Sequence, residues 1–135
     1  MSMVQGTPFE DTVLEPVTAE MLRAFAEAAG DPNPIHLNED AARQAGLPGI
    51  IAHGMLVASW VSRRAQDLIV QNQPGARLTG FQARFKGMTR LGDRLRIRAT
   101  LREKGPGEPS IELEASIEGS GQVVVVAHAG FRALH

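Results

Sequence analysis

The chain has 135 residues, enough for one domain with its own core and too few for two ordinary ones. Its 14 Lys+Arg against 15 Asp+Glu leave a formal charge of -1, which supplies no general pull toward nucleic acid or an anionic membrane. With no cysteine, disulfides, thiolate metal sites and a cysteine nucleophile are excluded, and a reducing, cytoplasmic setting is expected.

The first residues carry neither a basic opening nor a sustained apolar stretch, so a mature chain without a secretory signal is expected. The longest apolar region, Ile50 to Val61, is interrupted by His53, Gly54 and Ser59 and falls short of the roughly 20 residues a bilayer requires. From Phe9 to Val17 the chain reads as extended. Thr18 then suits the N-cap of a helix beginning near Ala19, whose apolar stripe is Met21, Leu22, Phe25 and Ala28 or Ala29. Gly30 can take the left-handed conformation that ends it.

Asp31-Pro32-Asn33-Pro34 follows, and its two prolines forbid a continuing helix and stiffen the backbone. Asn38, Glu39 and Asp40 read as the acidic start of a short helix closing at Gly46. A third helix is expected over about Ala52 to Asn72. Met55, Leu56, Val57, Ala58, Trp60 and Val61 leave its first turns almost without a polar side, so that end is expected to lie deepest.

Beyond Ala76 the apolar period changes to two. Arg94, Arg96, Arg98, Thr100 and Arg102 alternate with Leu95, Ile97, Ala99 and Leu101, and Glu112, Glu114, Ser116 and Glu118 alternate with Ile111, Leu113, Ala115 and Ile117. These are half-buried strands. They should pair antiparallel through the Gly105 to Pro109 turn, setting an arginine row across from a glutamate row on a solvated face. Further strands are read at Arg77 to Gly87 and Gln122 to Ala133, the latter entered through Gly119-Ser120-Gly121. The expectation is a single α+β domain over residues 1–135, with about five antiparallel strands curved around one long buried helix.

Few residues are suited to chemistry. The histidines are His36, His53, His128 and His135, and none stands in a familiar short zinc-binding spacing, so no metal is expected. No G-x-S-x-G element is present, which removes the usual serine hydrolase signature. In the proline-stiffened Gly30 to His36 segment, an acid and an imidazole five residues apart could face one cavity; equally, Asp31 could cap a turn and His36 could be a half-buried loop residue. Gly54 stands at the start of the third helix, where N–H groups lack partners and the dipole favours developing negative charge, although a glycine there could also simply permit close packing.

Together these segments resemble a known family. Phe25 to Ala42, with G-D-x-N-P-x-H at its centre, is similar to the hydratase 2 motif of MaoC-like dehydratases and (R)-specific enoyl-CoA hydratases, and Ile51 to Leu56 and Phe85 to Asp93 follow in family order. The resemblance implies the hot-dog fold and a homodimer or larger assembly with sites near the interface. By position it implies Asp31 and His36 as the catalytic pair, Gly54 N–H as the donor to the thioester oxygen, and Ser59 as a polar residue of the same pocket. The reaction implied is reversible syn hydration of a trans-2-enoyl-CoA to the (R)-3-hydroxyacyl-CoA, with coenzyme A or an acyl carrier present only as part of the substrate.

Two hot-dog alternatives use a similar frame, namely the (3R)-hydroxyacyl-ACP dehydratase of fatty-acid synthesis and an acyl-CoA thioesterase. Which of Asp31 and His36 acts as base is left open. Asn33 is expected to fix the loop and could also touch the substrate near its thioester. Where family members often carry Pro-Val before Gly-Asp, this chain reads Met88-Thr89-Arg90-Leu91-Gly92-Asp93. Arg90, with Arg84 and Lys86, forms a cationic cluster that could meet substrate phosphates or could be a solvated strand edge.

Overall fold

The computed structural model describes residues 6–133. The opening segment runs beside the sheet, with Phe9 N donating to Ala99 O at 2.9 Å and Leu14 N to Leu95 O at 2.8 Å, and contains the short strand β1 (Thr12–Val13). Helix α1 (Ala19–Ala29) starts where expected, since the Thr18 hydroxyl accepts from Met21 N at 3.2 Å, and it ends at Gly30 with φ 67°. Leu22 and Ala26 carry its buried stripe, whereas Ala28 and Ala29 are exposed because the last turn passes beyond the core.

The proline segment forms a single 3-10 turn, Pro34–His36, capped by the Asn33 side-chain Oδ1 accepting from Ile35 N at 3.2 Å. Helix α2 (Glu39–Gln44) is capped by Asn38, and the chain then turns at Gly46 with φ 87°. Helix α3 (Gly54–Asn72) begins two residues after the expected Ala52, because His53 takes an extended backbone (ψ 133°) and Ala52 is paired across to Thr89, its N 2.8 Å from Thr89 O.

Strands β2 (Ala76–Phe85), β3 (Leu95–Gly105), β4 (Glu108–Ile117) and β5 (Val123–Ala133) complete one antiparallel sheet in the order β1-β3-β4-β5-β2. α3 packs across β2 to β5, which is the hot-dog arrangement. Val57, Val61, Ala65, Leu68 and Ile69 of the helix meet Ile97, Leu113, Ala127 and other inward residues of the strands. The N-terminal end of α3 is not the deepest part: Gly54 and Ser59 are exposed, and Met55 is 69% exposed. Val57 and Ala58 of those turns are buried, whereas Met55 and Ser59 face outward.

On the outer face, Arg98 stands opposite Glu114. Ion pairs join Arg96 to Glu118 at 2.8 Å, Arg98 to Glu114 at 3.7 Å and Arg102 to Glu112 at 2.9 Å. Asp11, from the opening segment, also joins this ladder, at 3.1 Å from Arg96 and 3.6 Å from Arg98. Among the described residues no helix is long and apolar enough to cross a membrane.

Candidate active site

Gly30 turns the chain out of α1, and Asp31 N closes that turn on Ala26 O at 2.9 Å. The exposed Asp31 carboxyl accepts from Asn33 N at 3.4 Å, so the acid, the asparagine cap and the 3-10 turn form one connected stretch. His36 ends that stretch and is buried, with Nδ1 2.7 Å from Ile51 O. A carbonyl can only accept, so Nδ1 carries the proton, and neutral His36 keeps its lone pair on Nε2.

A second imidazole, not singled out in the sequence, completes the group. His53, 2% exposed, donates from Nε2 to the Asp31 backbone oxygen at 3.3 Å. Its ring stacks on His36 with centroids 3.8 Å apart and planes 28° apart, and Phe25 leans on it at 4.8 Å. Nδ1 of His53 is buried with no hydrogen-bond partner. Burial lowers the pKa of His53 below the ordinary histidine value, and the neighbouring His36 lowers it further, against the opposing pull of the Asp31 backbone bond and carboxylate. The only sequence signal was a histidine directly before the glycine that starts α3.

Nitrogen and oxygen atoms of Asp31, His36 and His53 all lie within 4.8 Å of one another. These are the residues that could approach a metal ion, although local sequence spacing did not join them. An ion bound to imidazole lies in the ring plane about 2.0 Å from nitrogen, whereas stacked rings direct their lone pairs along neighbouring planes. The arrangement suits hydrogen bonding and proton transfer better than joint ligation.

A cavity of about 190 Å³ adjoins His36, lined by His36, Gly54, Val57, Phe85, Met88 and Val125 among others. Gly54 is the first residue of α3, and His53 gives no side-chain cap there. Helix geometry leaves the first N–H groups without intrahelical partners, so the positive end of α3 borders the cavity that His36 lines. A Cβ at Gly54 would stand 3.3 Å from Phe85 Cε1.

Other expected site residues fall elsewhere. Ser59 is exposed, donates to Leu56 O at 2.6 Å and does not line this cavity; it sits on the side of α3 that the sheet leaves bare. Asn33 acts as a turn cap. The cationic cluster is dispersed: Arg84 lines a different groove of about 820 Å³ with Arg102, Glu112 and His128, and Lys86 and Arg90 line neither space. Strand alternation sends Arg84 and Phe85 to opposite faces. Arg90 is directed to Pro48 O at 3.3 Å, with its backbone N on Asp93 Oδ2 at 2.7 Å. His36 and Gly54 line the smaller space and not the larger, and Asp31 is a lining residue of neither. His135 lies outside the described residues.

A curved sheet over one helix, with a carboxyl, two imidazoles and a helix start gathered at its edge, defines a hot-dog domain. The family described as MaoC like domain matches residues 2–122, and the chain belongs to it. The (R)-specific enoyl-CoA hydratase of Rhodospirillum rubrum is 30% identical over 105 residues, covering 78% of this chain and 72% of that protein. The unliganded R-Hydratase PhaJ1 from Pseudomonas aeruginosa has a TM-score of 0.80 at 27% identity, over 97% of this chain and 82% of that one. Fatty acid synthase beta subunit TOXC of Cochliobolus carbonum is 31% identical over 129 residues, 90% of this chain but 6% of that protein. The chain spans 5% to 6% of the length of the fatty acid synthase beta subunits it matches.

Proposed function

We propose that this chain is an (R)-specific enoyl-CoA hydratase, adding water reversibly to a trans-2-enoyl-CoA to give the (R)-3-hydroxyacyl-CoA. The observation that carries the reading is the approach of the Asp31 carboxyl to the His36 imidazole within 4.8 Å, with His36 and Gly54, the first residue of α3, lining one cavity. Water held between Asp31 and His36 Nε2 attacks C3 as the C2=C3 electron pair moves toward the thioester oxygen. Gly54 N–H, at the positive end of α3, stabilises the resulting enolate, and one such donor contributes roughly 3–4 kcal/mol in the transition state. The pair takes one proton from water and returns one to C2 on the same face, so it ends unchanged. Coenzyme A enters as part of the substrate, and the reading includes no separate cofactor or resident metal.

We further read the working unit as a homodimer or larger homo-oligomer of a single-domain chain acting in the cytoplasm. Phe85 and Met88, at 48% and 44% exposure, line the cavity, and Met55, 69% exposed, directly follows Gly54, so a second copy could cover them. Sedimentation at micromolar concentration tests this, and a monomer would count against it.

The second reading is a (3R)-hydroxyacyl-ACP dehydratase running the same steps in reverse, favoured by the likeness to a segment of a fatty acid synthase subunit. Loss of enoyl ultraviolet absorbance with crotonyl-CoA, run beside crotonyl-ACP and followed by chiral analysis of the product, separates the two. Preference for the CoA ester with an (R) product supports the hydratase. Turnover of the carrier ester alone selects the dehydratase, and thiol release from a saturated acyl-CoA without hydration selects a thioesterase.

A further inference from the structure

We propose that His53 is a positioning residue for this site, its uncharged ring stacked on His36 and its Nε2–H holding the Asp31 backbone, so that acid and imidazole keep one spacing through turnover. The inference rests on the hydratase reading and deepens it. Asp31 follows α1 and His36 ends a separate 3-10 turn, with no direct hydrogen bond between their side chains among the described residues. His53, from the segment before α3, touches both: its ring lies 3.8 Å from that of His36 and its Nε2 lies 3.3 Å from Asp31 O.

The protonation state follows from the same contacts. With Nε2–H given to a carbonyl, a second proton on Nδ1 would bury a charged donor without a partner, beside another imidazole. Phe25 from α1 and His36 pack on the ring and the Asp31 backbone takes its Nε2–H; the Asp31 carboxylate lies within 4.8 Å of a ring nitrogen, but Nδ1 makes no hydrogen bond to it. A neutral ring can lie flat on His36 while His36 gains and loses a proton, whereas a cation there would oppose each gain. His53 also directly precedes Gly54, so one short segment orients the acid, the imidazole and the helix start.

The test compares His53→Phe, which keeps an aromatic face but loses the Nε2 donor, with His53→Gln, whose amide reaches a similar position. With crotonyl-CoA, His53→Phe is expected to lower kcat by roughly 10- to 100-fold while leaving KM within about twofold, and His53→Gln to recover part of the loss. Nitrogen-15 ring spectra of the parent are expected to show His53 as the neutral Nε2–H tautomer at neutral pH. Parent kcat in His53→Phe, no recovery in His53→Gln, or a proton on Nδ1 would each overturn the proposal. If His53→Phe does not fold, the parent ring spectrum decides. A parent chain that hydrates no enoyl thioester overturns the functional reading instead, and the ring spectrum still judges the contacts of His53.

Discussion

The ring of Phe85 lies against the Cα of Gly54, so close that a methyl group there would meet Cε1 at 3.3 Å and Cζ at 3.4 Å. Phe85 is 48% exposed and has room to move, so Gly54→Ala should fold with a melting temperature near that of the parent while displacing the ring into the cavity. The expected outcome is a raised KM for crotonyl-CoA. Adding Phe85→Leu should restore much of the loss, giving strong coupling in a double-mutant cycle. Additive effects would show that the two residues do not share the cavity.

Asp31→Asn changes an exposed side chain and should leave stability nearly unchanged while hydration falls by about 100- to 10,000-fold. His36→Ala should lose turnover too, but its effect reaches further. It strips the Ile51 carbonyl of a 2.7 Å bond, and a buried group left unpaired costs about 1–3 kcal/mol. Denaturant melts beside the hydration assay separate the two contributions.

Acid should weaken the fold through His53. Its folded pKa is depressed below the ordinary 6.5, so between those two values the unfolded chain binds more protons than the folded one. Stability from this group is therefore fully present above about pH 6.5 and declines as the pH falls toward the folded value. Urea titrations over that window should show the slope, and His53→Phe should remove its part of it.

Surface and core should respond very differently on neighbouring strands. Arg98, 58% exposed, pairs loosely with Asp11 and Glu114, and Arg98→Ala should cost no more than about 1 kcal/mol. Leu113, on the inward face of β4 at 1% exposure, should cost about 2–5 kcal/mol as Leu113→Ala. Equal losses in equilibrium unfolding would contradict the division of the sheet into a packed and a solvated face.

Much of this architecture was legible in local patterns. Thr18 and Gly30 mark the ends of α1 because capping needs only nearby atoms, and period-two alternation places Arg98 across from Glu114 once the hairpin turn is seen. Only the family resemblance grouped Asp31, His36 and Gly54; in the structure Asp31 approaches His36, and His36 shares a cavity with Gly54. Contacts made by the tertiary fold were not. His53 joins the site only because α1, the 3-10 turn and the start of α3 converge, and Asp11 reaches Arg96 from the far end of the chain. The depth of α3 was misread because apolar composition reports a need for cover without saying whether the same chain supplies it. Separation of Arg84 from the cavity could have been read, since adjacent strand residues alternate faces.

The end of α3 that borders the cavity is fastened to the β2–β3 connection by main-chain atoms: Ile51 bridges Arg90, and Ala52 N bonds Thr89 O at 2.8 Å. A seam of this kind is indifferent to which side chains flank it. Substitutions can accumulate on either margin, reshaping what enters the cavity, while the glycine amide keeps its bearing.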